Sequence, residues 1–347
     1  AAISAPIHIT NNTISGNDQH GVNIHGMNQA AVIVAGNRIG TDPTGTTAVP
    51  NGQHRVYLNA FTFSNMIGPD NVIAGNGADG IRVDAGEVPL PNYIMGNRIG
   101  LGLVAGSHVG NHDNGVYTDT HASDGSTPGT LPNPFATSLY IGPSNEISDN
   151  QGMVSNSTPT SWPDDPSFDA YAGVFLTSAS HDIKVIGNTI GLASFGGSLQ
   201  ASNAYGNAGD GIIVTSSDNV IGGTAASDAN VIAGNTRHGI VVRGSAVTGT
   251  RILGNYLGVH PGLPSNFAIG NALDGVLVNT SLVNAIGGSA AGEANTIAGN
   301  GRHGVSVRKS STGLTIGWGN LVQQNRIFHN GGLGIDLERS LNAEDDP

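Results

Sequence analysis

One phrase recurs along the chain with little change, and it decides the fold. It reads Asn230-Val-Ile-Ala-Gly-Asn-Thr-Arg-His-Gly-Ile-Val-Val242 in one copy and Asn295-Thr-Ile-Ala-Gly-Asn-Gly-Arg-His-Gly-Val-Ser-Val307 in another. A third copy runs from Asn71 to Val83, and worn copies begin at Asn11 and Asn145. Self-similarity of this kind is typical of a solenoid, in which each repeat buries its apolar face against its neighbours.

Two shorter phrases recur in a fixed order with the first. Gly-Asn-x-Ile-Gly begins at Gly36, Gly96 and Gly187, with Gly-Asn-Tyr-Leu-Gly at Gly254, and Ile-Gly-Pro or Ile-Gly-Gly begins at Ile67, Ile141, Ile221 and Ile286. From Asn17 to Asn76 is 59 residues, and from Asn235 to Asn300 is 65 residues. Three coils of about 20–22 residues fit one such unit, which predicts about 15 coils and a rod roughly 70 Å long.

The residue types within a coil indicate how it is built. Short apolar runs such as Gly-Ile-Val-Val alternate in the period of a strand, and each ends at Gly or Asn, which readily adopt left-handed turn conformations. Asparagines at one position of successive coils can form a ladder of side-chain amides, each bonded to the next. The alternative is that they form independent surface turns, and the recurrence in register favours the ladder.

The composition supports an all-β chain. Of 347 residues, 53 are Gly and 36 are Asn, whereas aromatic residues make up 5% and charged residues 11%. Gly, Asn and β-branched residues are poor helix formers, which excludes a helical bundle. Intrinsic disorder requires higher charge and fewer β-branched residues, so it is excluded as well.

These phrases resemble those of right-handed parallel β-helix repeat proteins of the secreted or surface-attached bacterial type, the pectin-lyase-like superfold. The terminal Asn330-Gly-Gly-Leu-Gly-Ile-Asp-Leu337 is similar to the closing phrase of such arrays. The resemblance implies a single right-handed parallel β-helix over residues 1–347, a single-stranded β-solenoid. It leaves the function open, since this fold hosts lyases, hydrolases, epimerases, phage tailspikes and adhesins.

Charge and cysteine content indicate the setting. The formal net charge is -12, and no basic stretch is present, so nucleic acid is not an expected partner. There is no cysteine, hence no disulfide framework and no thiolate metal site. No apolar run is long enough to span a membrane. Together with few lysines, these features favour an extracellular or cell-surface location.

The repeat is interrupted at about 101–170 and, less extensively, at 192–208. Insertions in a solenoid become loops on its flank, and long loops are often functional. The first interruption is rich in Asp, His, Tyr and Trp. The candidate catalytic residues are Asp113, Tyr117, Asp119, His121, Asp164 and Asp165. The candidate carbohydrate-binding residues are Arg82, Trp162, Tyr171 and Arg243. The candidate ligands of Ca²⁺, which favours carboxylate oxygen, are Asp119, Asp124 and Asp169.

Each set has an alternative interpretation. Asp, Asn, Ser and Pro also form loops without any further role, and the arginines are equally suited to pair with carboxylates at the surface. A second row of polar residues precedes the strand glycines at His20, Asp79, Asn114, Asp210, His238, Asp274 and His303. These side chains can line a flank, but they are also suited to bond neighbouring backbone groups.

Two functions follow. The first is a surface, adhesion or carbohydrate-binding module that engages polysaccharide, and the alternative is a polysaccharide lyase, glycoside hydrolase or epimerase with its site at the 101–170 loops. A weaker third hypothesis is a glycan-binding fibre of the phage type. Known catalytic phrases, including Gly-x-Ser-x-Gly and His-Glu-x-x-His, are absent. Open coil ends expose strand edges, so we expect a second copy or flanking domains to cover them.

Overall fold

The computed structural model describes residues 5–25, 31–59, 62–84, 88–119, 137–151, 171–178, 180–200, 202–263, 269–308 and 318–337. Within these ranges the regular structure is almost entirely β, with three long parallel sheets of ten strands each. No helix in the described part of the chain has the length and apolar character needed to cross a membrane.

Sheet A contains the first strand of every coil. Its strands are β1 (Ile7–Thr10), β4 (Val32–Ala35), β7 (Met66–Ile67), β10 (Val88–Ile94), β13 (Thr137–Ile141), β16 (Lys184–Val185), β21 (Val220–Gly222), β24 (Arg251–Leu253), β27 (Ala285–Gly287) and β30 (Leu321–Gln323).

Sheet B contains the second strand of every coil. Its strands are β2 (Thr13–Ile14), β5 (Arg38–Ile39), β8 (Val72–Ile73), β11 (Arg98–Ile99), β14 (Glu146–Ile147), β17 (Thr189–Ile190), β22 (Val231–Ile232), β25 (Tyr256–Leu257), β28 (Thr296–Ala298) and β31 (Arg326–Phe328).

Sheet C contains the third strand of every coil. Its strands are β3 (Val22–His25), β6 (Val56–Asn59), β9 (Ile81–Asp84), β12 (Val116–Asp119), β15 (Ala172–Leu176), β20 (Asp210–Val214), β23 (Ile240–Arg243), β26 (Val276–Asn279), β29 (Val305–Arg308) and β32 (Ile335–Leu337). A small antiparallel hairpin, β18 (Ala193–Phe195) with β19 (Ser198–Gln200), and two short 3₁₀ helices (Asn203–Tyr205 and Ala226–Asp228) complete the regular elements.

The three sheets are the sides of a right-handed parallel β-helix, as the sequence predicted. Coil n consists of the nth strands of sheets A, B and C, and the described chain has ten coils. The prediction of about 15 coils is therefore wrong, and the rod is about 45 Å long at ~4.8 Å per coil.

The coil count is lower than predicted because two of the recurring phrases lie in the same sheet. Arg98 and Ile99 of the Gly-Asn-x-Ile-Gly phrase pair in register with Val72 and Ile73 of the Asn-Val-Ile-Ala-Gly-Asn phrase. The two phrases thus occupy the same place in successive coils, and a unit of 59 to 65 residues holds two coils rather than three. Three strands with three corners need more residues than the predicted 20–22.

Inward-facing Ile, Val and Leu residues form one continuous core along the axis of the rod. In sheet B, for example, Ile73, Ile99, Ile147, Ile190 and Ile232 form one column without exposed surface. Full burial of such a side chain contributes about 1.5–3 kcal/mol. The core is therefore built from aligned columns of like residues, which holds the coils in register.

Two rows of asparagines follow the corners, one of them continuous through all ten coils, and they confirm the predicted ladder. The row at the A–B corner is bonded Nδ2 to Oδ1 from each coil to the next and comprises Asn12, Asn37, Asn71, Asn97, Asn145, Asn188, Asn230, Asn255, Asn295 and Asn325. The row at the B–C corner comprises Asn17, Asn51, Asn76, Asn111, Asn150, Asn207, Asn235, Asn271, Asn300 and Asn330. These amides satisfy backbone groups that the corners would otherwise leave buried and unpaired.

Coils 2, 4, 6 and 8 differ from their neighbours in one respect. Each carries an excursion between sheet B and the B–C corner, of which the structure describes residues 41–50, 101–110, 192–200 with 202–206, and 259–263 with 269–270. The excursions cover the outer face of sheet B: Leu103 and Val109 pack on Val72 and Ala74 of the preceding coil. The 101–170 region itself contains β12, β13 and β14, so its extra residues are divided among separate connections.

Candidate functional site

A group of titratable side chains lies on the outside of coils 1 to 3, where the B–C corner leads into sheet C. We call this group the coil 1–3 cluster, and its members are His20, His54, Tyr57, Asp79, Arg82 and Asp84. Register places them together, because Tyr57 pairs with Arg82 and Asn59 pairs with Asp84 on adjacent strands. Alternate residues of a strand face the same side of a sheet, so Arg82 and Asp84 both project outward from β9.

Two carboxylates of the cluster share one guanidinium. Arg82 Nε lies 2.9 Å from Asp84 Oδ1, and Arg82 Nη1 lies 3.9 Å from Asp79 Oδ2. The Tyr57 hydroxyl donates a hydrogen bond to Asp84 Oδ2. His54 Nδ1 lies 3.4 Å from Asp79 Oδ2, and its ring stacks on His20 with centroids 5.5 Å apart.

Burial shifts the titration of these groups in opposite directions. It raises the pKa of the Asp79 carboxyl to about 6, although hydrogen bonds from Asn114 and the charge of Arg82 act against the shift. Burial, reinforced by nearby arginines, lowers the pKa of His54 to about 3. Asp79 is therefore protonated in mildly acidic solution, whereas the imidazole of the adjacent His54 stays neutral there.

Arg55 lies beneath this cluster and interrupts the second asparagine ladder. It stands where most coils have glycine, as at Gly21, Gly80 and Gly115, and its side chain is fully buried. Within the described ranges its three guanidinium nitrogens have no hydrogen-bond partner, and burial lowers its pKa to about 9 against the pull of Asp79 and Asp113. Among the described residues the buried Asn76 Oδ1 accepts no hydrogen bond, so the ladder is interrupted between Asn51 and Asn76, beside Arg55.

Several of the residues predicted from the sequence lie beside this cluster. The guanidinium of Arg82 lies over the Tyr117 ring at 5.0 Å, and Tyr117 meets Phe175 edge-on at 5.4 Å. Arg243 lies over the same Phe175 ring at 5.8 Å. Arg82, Tyr117 and Arg243 therefore belong to one outer surface of sheet C that extends from coil 3 to coil 7.

The remaining predicted residues are less closely associated. Asp113 is half-buried at the corner of coil 4, where burial raises its pKa, and its Oδ1 lies 3.8 Å from His112 Nδ1. Asp119 pairs in register with Asp84 at the end of β12. Tyr171 precedes β15, and its carbonyl accepts a hydrogen bond from Asp210 at 3.0 Å. The predicted residues outside the described ranges are His121, Asp124, Trp162, Asp164, Asp165 and Asp169.

The row of residues before the strand glycines bonds the backbone of the next coil. Asp210 Oδ1 accepts from His238 N at 2.8 Å, and Asp274 Oδ1 accepts from His303 N at 2.9 Å. The backbone N of Asp274 in turn donates to His238 Nδ1 at 3.2 Å, and both side chains are buried. In coils 3 and 4 as well, Asp79 accepts from Asn114 N and Asn114 accepts from Ala172 N, so this row caps backbone groups, as the second interpretation of the sequence held. Across the described residues no three His, Asp or Glu side chains converge as a metal site would require.

The outer face of sheet A carries a stacked pair of tyrosines beside a lysine. Tyr93 and Tyr140 pair in register, their rings stack with centroids 5.2 Å apart, and 38% of Tyr93 is exposed. Lys184 pairs with Tyr140 on the next strand, and its ammonium lies 5.1 Å from the centre of the Tyr140 ring. The sequence offered no signal for this group, because the three residues come from three separate coils.

No protein-family model and no curated protein matches the chain. Among solved structures, the chain is similar to the crystal structure of the Dettilon tailspike protein (gp208), with 14% identity and a TM-score of 0.46 over 95% of this chain. The chain spans 61% of the length of that tailspike chain.

Proposed function

We propose that this chain binds polysaccharide along the outer face of sheet A. The observation that carries the proposal is the stack of Tyr93, Tyr140 and Lys184, which is aligned along the rod and open to solvent. Sugar rings present flat C–H faces that pack on aromatic rings, while the phenol hydroxyl remains available for hydrogen bonds. Successive strands of sheet A are about 4.8 Å apart along the rod, so the three side chains form a line parallel to the rod axis. An extended glycan can lie along that line.

The charge of this face supports the proposal. One outward residue from each strand forms a column through the sheet: His8, Ile33, Met66, Tyr93, Tyr140, Lys184, Val220, Arg251, Ala285 and Leu321. No member is Asp or Glu, although the chain carries a net charge of -12. A column that has no carboxylate and includes Lys184 accepts both neutral and acidic glycans.

The experiment measures binding of neutral and uronate-containing polysaccharides, with and without Ca²⁺, to the unsubstituted chain and to Tyr140→Ala. We expect Tyr140→Ala to lower affinity about tenfold, the usual cost of removing an aromatic anchor at ~1–2 kcal/mol. Tyr140→Phe keeps the ring and serves as the matched control. Unchanged affinity in Tyr140→Ala would contradict the proposal.

This activity corresponds to an adhesion or carbohydrate-binding module, secreted or held at a cell surface. The setting rests on the composition of the chain, which has no cysteine and very few lysines. In such a module the long parallel sheets serve as a rigid support for a ligand that contacts several coils at once.

A second candidate function is glycan cleavage or epimerisation at the coil 1–3 cluster. It is favoured by two carboxylates on one guanidinium, Asp79 and Asp84 with Arg82, where Asp79 has a raised pKa. Incubation of the same polysaccharides should then give new reducing ends, unsaturated uronate absorbance or altered uronate composition. These products should disappear in Asp84→Asn and persist in Tyr140→Phe. Binding without any product would support the adhesion function and contradict the catalytic one.

A further inference from the structure

A small cleft lies at the A–B corner of coils 7 to 9, on the opposite side of the first asparagine ladder from the core. It forms because the corner is long in coils 7 and 9, at residues 223–229 and 288–294, whereas coil 8 passes the corner with Gly254 alone between Leu253 and Asn255. Two projecting turns about 9.6 Å apart therefore flank one short turn.

The two long turns meet above the short one and close one end of the cleft. Gly254 N donates to Glu293 O at 3.1 Å, and a Cβ on Gly292 would lie only 2.1 Å from the carbonyl oxygen of Thr224. Beside this contact there remains a cavity of about 210 Å³. At ~30 Å³ per molecule of liquid water, it has room for about seven waters, or for one small ring compound.

The lining combines one aromatic wall with small residues and hydroxyls. Its side chains include Thr224, Ala225, Ala229, Tyr256, Ala294 and Thr296. Tyr256 is half-buried and packs against the apolar cluster of Val231, Ala233 and Ile269, so its ring is fixed in place. Apolar walls with few polar groups are the usual makeup of a small-molecule site, and none of the lining residues is charged.

The cleft adjoins the proposed glycan-binding face. Arg251 of the outward column in sheet A donates from Nη2 to Glu293 Oε1 at 3.1 Å, which connects that face to the coil 9 turn. Coil 8 is three coils from Tyr140, a distance of about 14 Å along the rod. A glycan bound to the outer face of sheet A can therefore place one sugar unit in the cleft at the A–B corner.

We propose that the coil 7–9 cleft binds a single neutral pyranose unit, with the apolar face of the sugar on Tyr256 and its hydroxyls toward Thr224 and Thr296. This inference rests on the proposed function for its biological role, and the cleft itself is a separate site from the Tyr93–Tyr140–Lys184 stack. The uncharged lining selects a neutral sugar, whereas the stack beside Lys184 also accepts an acidic one.

Saturation-transfer NMR on the full chain tests the cleft, with methyl α-D-glucopyranoside and methyl α-D-galactopyranoside as probes. Ala294→Leu fills the cavity from an exposed position, and Ala291→Leu adds the same side chain to the same turn outside the lining. We expect a transfer signal from at least one probe with the unsubstituted chain and with Ala291→Leu. In Ala294→Leu we expect the affinity to fall about tenfold or more.

Two further measurements separate this inference from the proposed function. Tyr140→Ala should keep the glycoside signal even where polysaccharide binding is lost, because the two sites do not share residues. Three results would overturn the proposal that the cleft binds a sugar. They are loss of the glycoside signal in Tyr140→Ala, an undiminished signal in Ala294→Leu, and no signal from either probe with the unsubstituted chain. Loss of polysaccharide binding with an intact, Ala294-dependent glycoside signal supports it.

Discussion

Asn188 donates from Nδ2 to Oδ1 of Asn230 at 3.0 Å, and both side chains are almost completely buried. Asn188 also donates to the carbonyl of Ile141 at 2.8 Å and accepts from Asn145 at 2.9 Å. One side chain thus satisfies groups in two neighbouring coils. The ladder is in this way a polar core, parallel to the apolar one and equally continuous.

We expect Asn188→Ala to lower the free energy of unfolding by about 2–4 kcal/mol. The substitution removes three buried hydrogen bonds, to Ile141, Asn145 and Asn230, and each contributes about 0.5–1.5 kcal/mol. Urea denaturation measures the loss. Asn203→Ala, at an exposed position in a 3₁₀ helix, is the matched control and should cost less than ~0.5 kcal/mol. Equal effects of the two variants would contradict a structural role for the ladder.

The second asparagine ladder, at the B–C corner, explains why glycine precedes the strands of sheet C. A Cβ on Gly239 would lie 2.6 Å from the carbonyl oxygen of Gly275 and 2.9 Å from Asn271 Nδ2. A Cβ on Gly77 would meet no atom within 4 Å. We therefore expect Gly239→Ala to destabilise the chain by about 1–3 kcal/mol and Gly77→Ala to be neutral or slightly stabilising. Thermal unfolding of the two variants distinguishes them, and a Gly239→Ala protein as stable as Gly77→Ala would refute the close approach.

The sequence was sufficient to predict the fold because its signals are local. Gly and Asn mark the corners, and short β-branched runs mark the strands. The number of coils could not be predicted from these local signals. Asn71-Val-Ile and Asn97-Arg-Ile look like different elements in the sequence, and only the pairing of their strands shows that they are equivalent. Pairing depends on which residues face each other in neighbouring coils, and the excursions of alternate coils hide that alignment in the sequence.

The candidate sites were predictable to a smaller extent for the same reason. Arg82, Tyr117 and Asp113 could be proposed because they stand in or beside recognisable phrases. Tyr57 and Asp84 were missed, because their contact joins two coils across 27 residues. The replacement of the usual glycine by Arg55 was a visible signal, and it marks the coil in which the second ladder is interrupted.

The raised pKa of Asp79 gives a pH dependence with a definite sign. A carboxyl with a pKa of about 3.8 in the unfolded chain and about 6 in the folded one binds a proton more tightly when folded. Its contribution to stability is therefore full below pH ~4 and is lost as pH rises to ~6. The charged or titratable groups that act on Asp79 are His54, Arg55, Arg82 and Asp113.

Asp79→Asn removes this titration and keeps an Oδ1 acceptor for the two hydrogen bonds from Asn114. We expect the stability of the variant relative to the unsubstituted chain to rise between pH 4 and pH 7, by up to about 3 kcal/mol. Urea midpoints at the two pH values measure the change. His54 has a pKa of about 3 and is therefore neutral over this pH range, so its own titration does not enter the comparison. A relative stability that is constant or that falls over this range would show that Asp79 is not buried as described.

Lys184 gives a prediction specific to ligand charge. Its ammonium lies beside Tyr140 on a column without carboxylates, so an acidic glycan in this place gains an attraction that a neutral one does not. We expect Lys184→Gln to weaken binding of a uronate-containing polysaccharide about fivefold at low salt, corresponding to ~1 kcal/mol, and to leave binding of a neutral one unchanged. The difference should diminish as ionic strength rises, because salt screens exposed charges.

Arg326→Gln removes the same charge from an exposed position in sheet B and is the matched control. Equal weakening by both substitutions would show that only the net charge of the rod matters, and that the Tyr93–Tyr140–Lys184 stack has no particular role.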